Sequence, residues 1–148
     1  MMLLQEIVLH KVLVPIDGSK ASYKALSHAV YIAKHNKTEL TLLYVVDLNK
    51  EVSDFERVSL SGYVPENVKN KGMEILNKLA KEISQEIKIN TDIEIGSPAE
   101  TIVEKAKNEN YDIIVMGSRG LGKIKSILMG SVSQYVLKYA HCPVLIVR

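Results

Sequence analysis

Five short apolar runs, separated by stretches of helical periodicity, constrain this chain more than any other feature. The runs span 7–16, 40–46, 89–95, 111–116 and 144–147. They are strand-sized and lack the sustained polar–apolar alternation of a half-exposed sheet, which predicts strands covered on both faces. Between them the apolar spacing changes to three and four. Ala21, Ala25, Leu26, Ala29, Ile32 and Ala33 follow the turn Asp17-Gly18-Ser19, with Ser19 as helix cap and Asn36-Lys37 as the end. Met73, Leu76, Ala80, Ile83 and Ile87 predict a helix from Pro65 to about Ile87. Ser97-Pro98-Ala99-Glu100 has the form of a capping box opening a third helix, with Ile102, Val103 and Ala106 on its apolar face. Val132, Val136, Leu137 and Ala140 mark a fourth. Strict alternation of strand and helix predicts an α/β chain: a single-domain, open, doubly wound parallel sheet with helices on both faces.

Bulk properties narrow the function. The 148 residues are 47% hydrophobic and 24% charged, which suits one ordinary domain with a sizeable core. Net charge is only +2, from 19 basic and 17 acidic residues, and the basic residues are dispersed. Neither this balance nor the absence of Trp and the single Phe supports a nucleic-acid interface. The lone Cys142 cannot form an internal disulfide, and no His stands at metal-ligand spacing with a carboxylate or cysteine. Gln5, Glu6, His10 and Lys11 break the opening Met1-Met2-Leu3-Leu4 too early for a signal sequence, and no apolar run approaches the roughly 20 residues of a membrane span. The expectation is a soluble cytoplasmic protein without a membrane partner.

Ligands of open α/β sheets bind beyond the carboxyl ends of the strands, where strand order reverses. Three segments reach that edge: Asp17-Gly18-Ser19, the patternless 47–64 connection, and Gly117 to Ser131. The 47–64 segment reads either as a functional loop or as a surface excursion holding one short helix. Gly117 to Ser131 has the makings of an anion cradle. Its glycines let backbone N–H groups approach a ligand, Gly130-Ser131 stands where a helix opens, and Arg119, Lys123 and Lys125 add charge. Gly117-x4-Gly122-Lys123 matches most of a P-loop, but Ile124 replaces the Ser or Thr that would hold magnesium, and no helix opens directly after the lysine. The dinucleotide fingerprint is absent from the first turn. On spacing alone, a glycine-rich loop without a ligand stays open.

The combination Gly117-x2-Gly120-x9-Gly130-Ser131 resembles the ATP-binding signature of the universal stress protein family. Val12 to Ser19, Gly96-Ser97-Pro98-Ala99, Gly130 to Ser133 and His141 to Val144 resemble further family segments, in order along nearly the whole chain. The resemblance implies a five-stranded sheet in order 3-2-1-4-5 with ATP in its crevice, accompanied by Mg2+ held by the phosphates. It assigns Asp17 and Val45 to the adenine and ribose side, with Pro15 shaping the first turn. Met116 and Gly117 would approach the sugar and α-phosphate, with Ser118 and Arg119 in the same loop. Gly120, Gly130, Ser131 and Val132 would hold the phosphates through backbone N–H groups and the Ser131 hydroxyl. Gln134 stands where many relatives carry an acidic residue.

Hydrolysis needs a base or water-orienting group near the γ-phosphate. In sequence the nearest acidic residue before the glycine loop is Asp112, at the far end of its strand, and none follows Gly117. The reading is therefore an ATP-binding switch or sensor, with hydrolysis at most slow or partner-dependent and an unidentified protein as its further partner. An adenylating enzyme of a related fold is the alternative, though the Ser-Gly-Gly loop of that type is missing after the first strand. A dimeric interaction module without nucleotide is another. The apolar last strand invites pairing between two copies, which matches the family's usual homodimer.

Overall fold

The computed structural model describes residues 2–51, 66–120 and 129–148. Its strands are β1 (Lys11–Pro15), β2 (Glu39–Val46), β3 (Ile89–Ile95), β4 (Ile113–Gly117) and β5 (Val144–Val147). Its helices are α1 (Lys20–Asn36), the single turn α2 (Leu48–Glu51), α3 (Glu66–Glu82), α4 (Pro98–Asn108) and α5 (Ser131–Tyr139). All five strands are parallel, in the order β3-β2-β1-β4-β5. The α/β expectation and the strand order both hold. Gly122, Lys123, Lys125 and Pro65 lie outside the described residues, as does most of the 47–64 connection. Its start forms α2.

Helices cover both faces because alternate strand residues point to opposite sides. Val12, Val14, Leu40, Leu42 and Val115 pack with Ala25, Ala29 and Ala33 of α1 and Leu76 of α3. Leu13, Leu43, Ile114 and Met116 pack with Ile102 and Ala106 of α4 and Val136 of α5. The small residues on α1 bring it close to the central strands. Gly72 does the same for α3: a Cβ there would stand 2.5 Å from Cδ1 of the buried Tyr44 ring.

Three boundaries differ from expectation. The apolar run at 7–16 forms a strand only from Lys11, since β2 pairs from Glu39 and β4 from Ile113, and before them only single bonds reach the chain, from Thr38 Oγ1 to the Leu9 carbonyl and from Glu39 N–H to the His10 carbonyl. Ile7 and Val8 are accordingly 80% and 53% exposed. The backbone N–H groups of His10 and Lys11 both donate to Asp112 Oδ2, at 2.8 Å each, which fixes where the sheet begins. Helix α3 stops at Glu82 rather than Ile87; a turn closed by Ile87 N–H donating to the Ser84 carbonyl (3.1 Å) carries Ile87 into the core by another route. Ser97 occupies the cap position of α4 with Pro98 in its first turn, but its side chain makes no capping hydrogen bond. Ser19 does cap α1, its Oγ accepting from Ser22 N–H at 3.1 Å.

Candidate functional site

The strand order brings the carboxyl ends of β1, β2 and β4 to one edge. There a cavity of about 290 Å³ opens between β1 and β4, at the reversal point of the topology. Pro15, Ile16, Asp17 and Ser19 line it from the first turn, and Leu43, Tyr44 and Val45 from β2. Met116, Gly117, Arg119 and Gly120 line it from β4 and its loop, and Gly130, Ser131, Val132 and Ser133 from the start of α5. Of the eleven residues that the resemblance assigns to the nucleotide site, all but Ser118 line the cavity.

Ser118 instead ties the cradle together from behind. It is buried, and its N–H donates to the Val147 carbonyl at 2.8 Å. Its carbonyl accepts from Gly130 N–H and from Ser133 Oγ, both at 2.7 Å. The end of β4 is thereby pinned to the start of α5 across the undescribed 121–128 segment. The bond also commits the Gly130 N–H. In an α-helix opening at Ser131, the N–H groups of the first turn have no intrahelical acceptor, so Ser131 and Val132 carry the unpaired donors and the partial positive end of the helix. No acidic side chain stands in that first turn to offset it.

The glycines serve different ends. A Cβ on Gly117 would stand 2.7 Å from Ala21 Cβ and 2.8 Å from the Ala21 carbonyl carbon, so this glycine permits β4 to pass under α1. Gly130 has φ −74° and ψ 164°, open to any residue, and a Cβ there would meet its nearest neighbour, Arg119 Cα, at an ordinary 3.5 Å. Neither backbone conformation nor packing against the described residues requires glycine at 130. At Gly120 an added Cβ would stand 2.7 Å from Asp17 Oδ2. The carboxylate of the first turn thus lies against the glycine loop, while its Oδ1 accepts from Ser19 N–H at 2.9 Å. In sequence no carboxylate adjoins this loop. The fold supplies one from the other end of the chain.

Several lining residues have no sequence signal. Asp47 and Lys50 reach the cavity because α2 turns the chain back after β2, with Lys50 N–H donating to the Asp47 carbonyl at 2.9 Å. Leu43 and Ile102 add apolar wall from β2 and α4. Their apolar character is indistinguishable in sequence from that of the core. The groups with displaced pKa values lie elsewhere. Burial pushes the Tyr111 hydroxyl and the Cys142 thiol up. Burial works to lower Lys105, but hydrogen bonds and charge from Asp92 and Glu109 outweigh it and hold the ammonium above its ordinary range. None of the three lines the cavity. Among the described residues no helix is long and apolar enough to cross a membrane.

Residues 9–148 match the universal stress protein family. A universal stress protein of Methanocaldococcus jannaschii is 41% identical over 143 residues, covering 93% of this chain and 81% of the relative. The solved structure of the universal stress protein UspA from Lactobacillus plantarum superposes with a TM-score of 0.81 at 28% identity, covering 97% of this chain and all of that one. A universal stress protein solved in complex with cAMP superposes at 0.66 with 26% identity, covering 96% and 98% of the two chains. The chain belongs to the universal stress protein family.

Proposed function

We propose that this chain binds ATP in the cavity between β1 and β4 and acts as a nucleotide-dependent switch or sensor in a stress response, not as an efficient enzyme. The observation that carries the reading is Gly130. A glycine that neither its own backbone nor its described neighbours demand, lining the cavity at the start of α5, leaves room for a ligand to approach the helix end closely. Beside it the unpaired N–H groups of Ser131 and Val132 and the helix dipole favour phosphate oxygens. The Ser131 hydroxyl adds a donor. Arg119 and Lys50 on the cavity wall supply positive charge. Val45, Leu43, Met116 and Ile102 offer an apolar wall to a purine. A relative of the same fold solved with cAMP supports an adenine nucleotide. The reading also takes residues 1–148 as one nucleotide-binding domain, working in the cytoplasm as a homodimer joined through β5. Nucleic acid and membrane have no part in it.

Calorimetric titration with ATP tests it. Wild-type protein is expected to bind, and Gly130→Ala to bind at least about tenfold more weakly with an unchanged melting temperature. No binding by wild-type protein at millimolar ATP would overturn the reading in favour of an interaction module. Unaided release of phosphate should fall well below about one turnover per second, the lower end of dedicated phosphoryl-transfer enzymes.

A further inference from the structure

Helix α1 gathers basic residues that are dispersed in sequence. No acidic residue stands between Asp17 and Glu39, a stretch that holds Lys20, Lys24, Lys34 and Lys37. At 3.6 residues per turn, Lys20, Lys24, His28, Tyr31, Lys34 and His35 fall within about 120° of the helix surface. All six are exposed, while Ala25, Ala29 and Ala33 on the other side pack into the core. The four lysines exceed the net charge of +2 of the whole chain, so the rest of the molecule is net acidic. A surface helix ordinarily offsets its lysines with carboxylates three or four residues away; α1 has none. Among the described residues none of these lysines has an ion-pair partner. Lys20 even stands in the first turn, where the helix dipole disfavours a cation and no acidic side chain compensates it. At the centre of the face Tyr31 is 67% exposed, its ring 4.4 Å from that of His35.

We infer that the outer face of α1 docks an acidic segment of a partner protein, with carboxylates meeting Lys20, Lys24 and Lys34 and an apolar side chain packing on Tyr31. The charge pattern sets the chemistry of the occupant, and the surroundings set its width. Across the groove beside α1, helix α3 presents Glu74, Lys78 and Glu82. A broad anionic surface laid over α1 would also meet those two carboxylates and the net acidic remainder of the molecule. A single slender segment running along α1 avoids them. The apolar residues of α1 point to the sheet, so the face offers a bilayer nothing to insert. An exposed aromatic ring with lysines on either side of it along the helix instead has the arrangement of a protein-binding patch, in which an aromatic anchor is surrounded by polar contacts. The inference does not rest on the nucleotide reading, since Lys20, Lys24, Tyr31 and Lys34 lie outside the cavity lining.

The test is fluorescence anisotropy of the whole chain with a labelled acidic peptide of Leu-Glu-Glu repeats, about 16 residues long so that as a helix it spans the face. Wild-type protein is expected to bind it at low salt and to release it as salt screens the charges. The double variant Lys24→Glu, Lys34→Glu should bind at least about tenfold more weakly, and Tyr31→Ala about fivefold or more. These side chains are exposed, so the far-ultraviolet circular dichroism spectrum should be unaltered. Lys107→Glu with Lys138→Glu makes the same change of net charge on the exposed surfaces of α4 and α5, and should bind nearly as wild-type protein does. The inference is overturned if wild-type protein does not bind the peptide, if both charge-reversed pairs lose affinity equally, or if Tyr31→Ala binds as wild type. Duplex DNA or phosphatidylserine vesicles that bind as tightly as the peptide would also overturn it, by showing a general polyanion surface. So would loss of self-association in Lys24→Glu, Lys34→Glu protein alone, which would make a second copy the occupant of the face.

Discussion

At the scale of single residues, Lys105 is the most demanding position outside the cavity. Its side chain is 3% exposed, in the last turn of α4, and its Nζ reaches Asp92 Oδ2 at 2.5 Å, Glu109 Oε2 at 2.9 Å and Glu94 Oε1 at 3.3 Å. A lysine is almost never so buried unless paired. Replacing it with Met would keep the packed stem and leave three carboxylates without their cation. Those carboxylates are partly solvated, so the loss of stability should be about 2 kcal/mol, below the 3–5 kcal/mol of a fully buried pair. The pH dependence has a definite sign. Because folding raises the lysine pKa above its ordinary 10.5, its contribution is complete below that value and disappears only as pH rises through the higher folded value. Urea unfolding should therefore give the same difference between Lys105→Met and wild type at pH 7 and pH 9; a difference that shrank between them would contradict this account. Lys105 does not stand out in the sequence, whereas Asp17 does, but only as a residue of the first turn and not as a neighbour of the glycine loop. A lysine in an amphipathic helix with a carboxylate four residues on reads as solvated, because its other two partners lie 11 and 13 residues back on β3, and the glycine that Asp17 Oδ2 lies against is about a hundred residues away in sequence. The cradle glycines were legible because their spacing is local to one segment. What each glycine does was not: only the neighbours of Gly117 and Gly130 separate a packing requirement from a space left for a ligand.

At the scale of elements, the apolar runs sufficed to find every strand and every long helix, since burial on both faces leaves a continuous hydrophobic signature. Their ends depended on partners that a linear reading does not contain. Residues 7–9 are as apolar as β1 itself yet pair with no strand. Ile87 keeps helical spacing with Ile83, but beyond Glu82 the chain turns. How closely α3 approaches the sheet was likewise hidden. Its docking on β2 depends on Gly72, where a Cβ would come within 3.0 Å of three atoms of the Tyr44 ring. Tyr44 is buried under the helix and has little freedom to yield. Gly72→Ala should favour the isolated helix by up to about 1 kcal/mol, while overpacking against the ring costs about 1–3 kcal/mol. The expected net result is a lower melting temperature, restored by the second-site change Tyr44→Leu. A Gly72→Ala protein at least as stable as wild type would show that α3 is free to lift from the sheet.

At the scale of the whole molecule, the order β3-β2-β1-β4-β5 leaves two open edges, and they differ in character. β3 carries Asp92 and Glu94, which hold Lys105, and Asn90, which donates to Glu39. A charged edge of this kind discourages further strands. β5 reads Val144-Leu145-Ile146-Val147 and has no charge of its own. It therefore provides the edge through which two copies can pair, in a closed arrangement if the pairing is two-fold. The choice of variant matters. Ile146 packs partly into the core on the α4 and α5 side, so a charge there would mix loss of folding with loss of pairing. Leu145 lies on the opposite side of the strand from Ile146, the face it shares with Val147, and is 36% exposed. Leu145→Lys places a charge on the edge with least disturbance inside, and a like charge from each copy would meet across the two-fold. The proposed dimer should weaken by at least about tenfold, giving a monomer by light scattering at concentrations where wild-type protein is dimeric, with an unaltered far-ultraviolet circular dichroism spectrum. A Leu145→Lys protein that stays dimeric would move the interface away from β5. ATP binding provides the complementary measurement. None of the described residues that line the cavity lies on β5, so the monomer should bind ATP as wild-type protein does, and a loss of binding on dissociation would mean that the second copy completes the site.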